Sequence, residues 1–275
     1  MTTQTAAVLQ KSMAAGNGLK DVVAGRTATM TKVFVHGNPE TTAVWEPLLP
    51  ALANRGVEDI ILLSPPGFGA PVPPGFPCTR LAYRDWLISE IEKIGHPVDL
   101  LGHDWGAGHT YAVAAVRPDL LRSWAADCAG LVHPSYEWHP AAQVWQREKE
   151  GEASIAQIIK MTGDDLVKLF GVPPGLAPTM ADHLDEVMGA SILAIYRSAA
   201  QPALRELAEE LATASRRPAL LIHATEDPYV PPQLVFDVAK RTGAQILTLE
   251  GRQHWWMWED PEGAATGLVK FWQAP

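Results

Sequence analysis

Gly102-His103-Asp104-Trp105-Gly106 follows the apolar run Val98-Asp99-Leu100-Leu101 and leads into Tyr111-Ala112-Val113-Ala114-Ala115-Val116, which can continue as a helix. A strand must therefore turn into a helix within a few residues. Gly102 and Gly106 flank the bend, where backbone is pressed against backbone and a side chain would clash. Asp104 stands at the apex and narrows the chemistry. A carboxylate attacking an ester carbonyl would give a high-energy anhydride, whereas attack on a saturated carbon gives an ordinary ester that water can later cleave. The acid at the bend thus points to displacement at an sp³ carbon.

The rest of the chain reads as a frame for such a bend. Apolar runs over 31–35, 59–63, 98–101, 123–128, 219–223 and 245–249 read as strands, and helical patterns cover 41–53, 80–94, 232–241 and 261–272. Strands alternating with helices imply a parallel sheet with right-handed crossovers. From 132 to 216 that rhythm breaks into a mostly helical, apolar-periodic stretch, interrupted at Pro173-Pro174-Gly175. The expected organisation is an α/β core made of residues 1–131 and 217–275, with 132–216 inserted as a helical cap. Residues 1–28 carry no readable chemistry.

A reaction in two halves needs a base for the second half and a group to orient that base. Asp227 follows a late strand at its C-terminal edge, where open α/β sheets place their ligands, and His254 comes just after the last strand. Glu226 is the rival for the acid; Asp227 is preferred because a turn and Pro228 follow it. His103 is expected to pack or hydrogen-bond rather than act as a second base, and His36 to fix the loop that follows it.

Composition bounds the partners. A length of 275 residues suits one α/β domain with an insertion, and 47% hydrophobic against 19% charged residues describes a globular chain with ample core. The net charge of -9 argues against nucleic acid. Cys78 and Cys128 are too few for a disulfide framework and lack metal-type spacing. No basic-then-apolar leader and no apolar run of about 18 residues is present, so a cytoplasmic protein without a membrane partner is expected. Six of the ten tryptophans (Trp105, Trp138, Trp145, Trp255, Trp256 and Trp258) cluster near the proposed chemistry, as an apolar cavity would require.

Asp104, Asp227 and His254 occur in the order nucleophile, acid, histidine, and the His36-Gly37-Asn38-Pro39 turn precedes them. Over about 33–272 the chain resembles the Asp-nucleophile branch of the α/β-hydrolase superfamily, which holds epoxide hydrolases and haloalkane dehalogenases. The resemblance implies a mostly parallel central sheet flanked by helices, with a cap. It makes Asp104 the nucleophile, His254 the water-activating base, Asp227 its orienting acid, and the N–H groups of Asn38 and Trp105 the oxyanion hole. Tyr196-Arg197 resembles the cap tyrosine motif of epoxide hydrolases, so Tyr196 is expected to donate a proton to the leaving oxygen. Glu40 after Pro39 is also typical of that group. The partner tyrosine has no clean counterpart; Trp145 lies nearest, with His139 and Tyr136 as alternatives.

In a haloalkane dehalogenase, the side chains of Asn38 and Trp105 would instead hold the departing halide. Members of that group that carry their acid on the earlier strand would need a carboxylate near Cys128; none is expected there, which restricts this activity to the type using Asp227. A fluoroacetate dehalogenase would need Arg where Trp105 and His109 stand. A hydrolase-fold binding protein would usually lose a triad member, and this chain keeps all three. The favoured expectation is an epoxide hydrolase, with a haloalkane dehalogenase second. A small apolar organic substrate and water are expected, with His139, Trp145 and Trp255 lining its pocket, and no metal, nucleotide or flavin.

Overall fold

Six of the apolar runs become strands in a computed structural model, which describes residues 30–274. They are β1 (Lys32–Val35), β2 (Ile60–Leu63), β3 (Val98–Gly102), β4 (Leu121–Ala126), β5 (Ala219–Ala224) and β6 (Gln245–Leu249). All neighbours pair in parallel, in the order β2-β1-β3-β4-β5-β6. The central strands β1, β3 and β5 are buried along their whole length, which is why they read as continuous apolar runs rather than as alternating ones.

Helices fill the connections in chain order: α1 (Leu48–Ala53), α2 (Arg80–Glu92), α3 (Trp105–Val116), α4 (Pro140–Trp145), α5 (Glu150–Ile158), α6 (Gly163–Phe170), α7 (Ala177–His183), α8 (Glu186–Ser198), α9 (Ala203–Thr213), α10 (Pro232–Thr242), α11 (Trp256–Glu259) and α12 (Pro261–Gln273). Caps mark several ends. Thr79 accepts from the Ala82 amide to start α2, and α6 opens on a capping box of Thr162 and Asp165 and closes on Gly171 in the left-handed conformation.

Three local differences from the sequence expectation have physical causes. The helix expected over 41–53 is a 3-10 turn (Thr42–Trp45) followed by α1, because Pro47 lies between them and has no N–H to continue the ladder. Strand β4 spans 121–126 rather than 123–128; the left-handed backbone of Cys128 (φ 47°) turns the chain away from the sheet. Within the stretch read as cap, the apolar face of α9 (Leu204, Leu207, Ala208, Leu211) is buried, and this helix packs on α3.

The topology sets the site. From β1 the chain goes to β2 on one side, and β3 then pairs on the other, so a crevice opens at the C-terminal ends of β1 and β3. Val35 pairs with Gly102, and Gly102 with Ala126, so the loops after β1, β3 and β4 leave the sheet at one level. Among the described residues no helix is long and apolar enough to cross a membrane. Cys78 and Cys128 are both free and buried. Residues 1–28 lie outside the described residues.

Candidate active site

Asp104 occupies the bend between β3 and α3 with φ 52° and ψ -120°, a conformation costing about 1–3 kcal/mol for a non-glycine residue. Its surroundings enforce it. A Cβ on Gly106 would sit 2.1 Å from the Val35 carbonyl oxygen, and one on Gly102 would sit 2.3 Å from the Gly106 carbonyl oxygen. The Asp104 amide donates to Asp127 Oδ1 at 2.9 Å. Both elbow glycines are therefore required by close backbone approach, as their spacing implied.

The Asp104 carboxylate has two distinct oxygens. Oδ1 accepts the Asn38 N–H at 2.9 Å, and Gly37 leaves it room, since a Cβ there would lie 2.1 Å away. Oδ2 lies 3.9 Å from His254 Nε2. On the other side of that ring, Nδ1 is 3.0 Å from Asp227 Oδ2, while Asp227 Oδ1 accepts the Tyr229 N–H at 2.9 Å. Asp227 thus orients the imidazole so that Nδ1 carries a proton and Nε2 faces Asp104. Glu226, the rival acid, is exposed, and its amide is held by the Arg252 carbonyl.

Burial and neighbouring charges set the protonation of these groups. Burial raises the Asp104 carboxyl to about 6 and the Glu40 charge adds to this, against the opposing pull of His254 and His103. For His254, burial disfavours the charged form, but the Asp227 charge and hydrogen bond outweigh it and raise the pKa above the ordinary 6.5. His36 is lowered to about 4, above all by burial, and its ring is neutral; Nδ1 lies 2.9 Å from the Gly37 carbonyl, which fixes the loop carrying Asn38.

Beneath the site, His103 is wholly buried between two carboxylates. Nε2 donates to Glu40 Oε1 at 3.1 Å, and Nδ1 bonds Asp127 Oδ2. Burial opposes its charge, yet Asp127 and Glu40 together raise its pKa well above 6.5, so the ring is an imidazolium. Glu40 also accepts from Trp255 Nε1 at 2.7 Å and from the Gly37 N–H at 3.1 Å, and Asp127 from Trp256 Nε1 at 2.7 Å. The expectation that no carboxylate stands near Cys128 is wrong: Asp127 directly precedes it. It serves His103 rather than His254, whose Nδ1 is held by Asp227. Asp127 was legible by the rule that located Asp227, an acid just past a strand end.

A cavity of about 100 Å³ lies over Asp104, walled by Asn38, Trp105, His139, Trp145, Tyr196 and Trp255 among others. Trp138 also lines it, whereas Trp256 is core and the Trp258 ring packs over Gly175. The Trp145 indole N–H donates to Ser154 Oγ at 3.2 Å and is spent on α5. His139 Nδ1 accepts the Ala142 N–H at 3.3 Å, which leaves the proton on Nε2; burial lowers its pKa to about 4, so the ring is neutral. The hydroxyl of buried Tyr196 is held protonated by burial and by the Asp104 charge, and its ring meets that of Trp105 edge-on at 5.2 Å between centroids. Tyr136 lines the cavity as well. Sequence reasoning missed Tyr229, whose ring lies 4.9 Å from that of His254 and 5.2 Å from that of His139; only its position two residues past Asp227 could have marked it.

An epoxide hydrolase from Caballeronia sordidicola is 31% identical over 127 residues, covering 45% of this chain and 38% of that protein. A haloalkane dehalogenase from Bradyrhizobium diazoefficiens is 27% identical over 131 residues, covering 46% and 40%. The chain thus spans about two fifths of the length of these curated relatives. A solved haloalkane dehalogenase loop variant from Bradyrhizobium elkanii superposes with a TM-score of 0.68 at 19% identity, over 90% of this chain and 91% of that one, a likeness of fold. The model of the alpha/beta hydrolase family matches residues 33–266. That match spans every position of the site from Asn38 to Trp256, and the chain belongs to the alpha/beta hydrolase family.

Proposed function

We propose that this hydrolase opens epoxides through a covalent ester on Asp104. Oδ2 attacks a ring carbon, the C–O bond breaks, and the oxygen leaves still tethered to the substrate, so it needs a proton. Tyr196 supplies it, and the neutral imidazole of His139 gives a second hydrogen bond from Nε2. His254 Nε2 then takes a proton from water, which attacks the ester carbonyl and releases a vicinal diol. Asp227 steadies the imidazolium that forms. The N–H of Asn38, already bonded to Oδ1, and that of Trp105 stabilise the oxyanion. Water and a small apolar epoxide are the partners, and no nucleic acid or membrane takes part.

The single observation that carries the epoxide reading is Tyr196 in the wall of the cavity over Asp104, its ring edge-on to that of Trp105 at 5.2 Å between centroids. A haloalkane dehalogenase is the second reading. Its support is Asn38 Nδ2, a buried amide in the same wall without a hydrogen-bond partner, which a halide would satisfy.

Intact-mass measurement on His254→Ala separates the two. Without the base, the ester accumulates. A small epoxide adds its full mass to Asp104, and the matching bromoalkane adds only its alkyl group. Labelling by the bromoalkane alone would favour the second reading, and labelling by neither would end both.

A further inference from the structure

Two clusters at the site bring potential metal-ligating atoms within 4.8 Å of one another: Glu40 with His103 and His254, and Cys128 with Asp227 and His254. The first has no lone pair to offer from His103, because both ring nitrogens are protonated and bonded to carboxylates. The second differs in kind. Its three donors are a thiol, a carboxylate and an imidazole, which is the mixed set that zinc-like ions take. In a tetrahedral zinc site such atoms stand about 3.2–3.6 Å apart, so closing from 4.8 Å takes side-chain movements on the order of 1 Å.

Access and charge favour the same site. Cys128, Asn38, Asp104 and His254 all line the cavity, so an ion arriving there meets the thiol and the imidazole directly, with Asp227 bonded to the same ring at 3.0 Å. Four carboxylates surround the centre (Glu40, Asp104, Asp127 and Asp227), against the positive charge of His103. Burial above all, and then the charges of Asp127, Asp227 and Asp104, hold the Cys128 thiol protonated in the free protein, so a bound ion has to displace that proton.

We propose that Cys128, Asp227 and His254 form an inhibitory site for a thiophilic divalent cation, of the class of Zn²⁺ or Cd²⁺, with the cavity supplying water as a fourth ligand. The ion binds as the thiol, and any imidazolium form of His254, release a proton to solvent and the neutral ring offers its unprotonated nitrogen, so affinity rises with pH. Bound metal takes the imidazole away from Asp227 and from water. Binding follows from the donor set alone, whereas inhibition rests on the proposed role of His254.

The test is a titration of the apoprotein with Cd²⁺, read by the ultraviolet thiolate-to-cadmium charge-transfer absorption in the absence of substrate. A band saturating at one ion per chain and removed by EDTA is expected for the wild type and for Cys78→Ala, and no band for Cys128→Ala. On turnover, the wild type should be inhibited reversibly, with Cys128→Ala needing at least about tenfold more metal. Absence of the band in the wild type, or equal inhibition of wild type and Cys128→Ala, overturns the site. A band in a protein that turns over no epoxide would leave the metal site standing and sink the epoxide reading instead.

Discussion

His254 Nε2 faces Asp104 Oδ2 across 3.9 Å, while the opposite nitrogen of the same ring is tied to Asp227 at 3.0 Å. The gap is too long for a hydrogen bond. It places the base next to the ester that Asp104 would form, where a water can be directed at the carbonyl carbon. Asp227→Asn removes the charge that steadies the imidazolium. Ester hydrolysis is expected to slow by about 10³–10⁴-fold, with a fast burst of alkylation preserved. Rapid-quench mass measurement checks this; an alkylation step slowed as much as hydrolysis would contradict it.

Tyr196→Phe probes the leaving group. Loss of a positioned proton donor costs about 10²–10⁴-fold, and the loss should fall on epoxides alone, since a halide leaves without a proton. Parallel kcat/KM values for an epoxide and a bromoalkane give the result. Equal losses on both would assign Tyr196 to shaping the cavity.

The pH dependence follows from the signs of the shifts. Attack needs ionised Asp104, so kcat/KM should rise with pH through about 6. Ester hydrolysis needs neutral His254, whose pKa is raised, so that step also gains as pH increases. Once the ester forms, the Asp104 charge is gone, and the hydrolysis midpoint should lie below that of the free enzyme. Both limbs run in the same direction, and a profile declining from about pH 5 to 8 would refute the assignment.

His103→Ala should cost about 3–5 kcal/mol of stability by leaving Glu40 and Asp127 buried without their cation. The pH signature has two edges. The raised pKa of His103 makes its contribution complete below 6.5 and lost as pH climbs through the folded value. The Glu40 contribution, with its carboxyl lowered to about 2, is present above its ordinary 4.5 and lost as pH falls towards that value. Denaturant melts of both proteins across pH measure this.

Gly37→Ala tests geometry without replacing a reacting group. Its Cβ would fall 2.1 Å from Asp104 Oδ1, so loop or nucleophile must shift, and a displacement of about 1 Å is worth on the order of 10²-fold in rate. Activity is expected to fall by at least that factor. Unchanged activity would show that the loop yields freely.

Asp104, Asp227 and His254 were legible because each follows a strand end, and strand ends follow from apolar runs. Tyr196 was legible through its resemblance to a known motif. The role of His103 was not, because a buried imidazole between two acids looks in sequence like any histidine beside a bend; its charge depends on Glu40 and Asp127, 63 and 24 residues away. The break before α1 could have been read from Pro47. Trp145 lies nearest the place of a second donor in sequence, but its indole N–H is taken by Ser154 in α5, a partner that no spacing in the sequence marks.

The imidazolium of His103 rivets the loops after β1 and β4 to the bend that bears Asp104, whereas α5 to α8 supply much of the apolar lining above it. Selection can therefore re-tailor those upper walls for a new molecule while the bonded floor beneath Asp104 is kept. Descendants of such a chain would diverge in diet sooner than in chemistry.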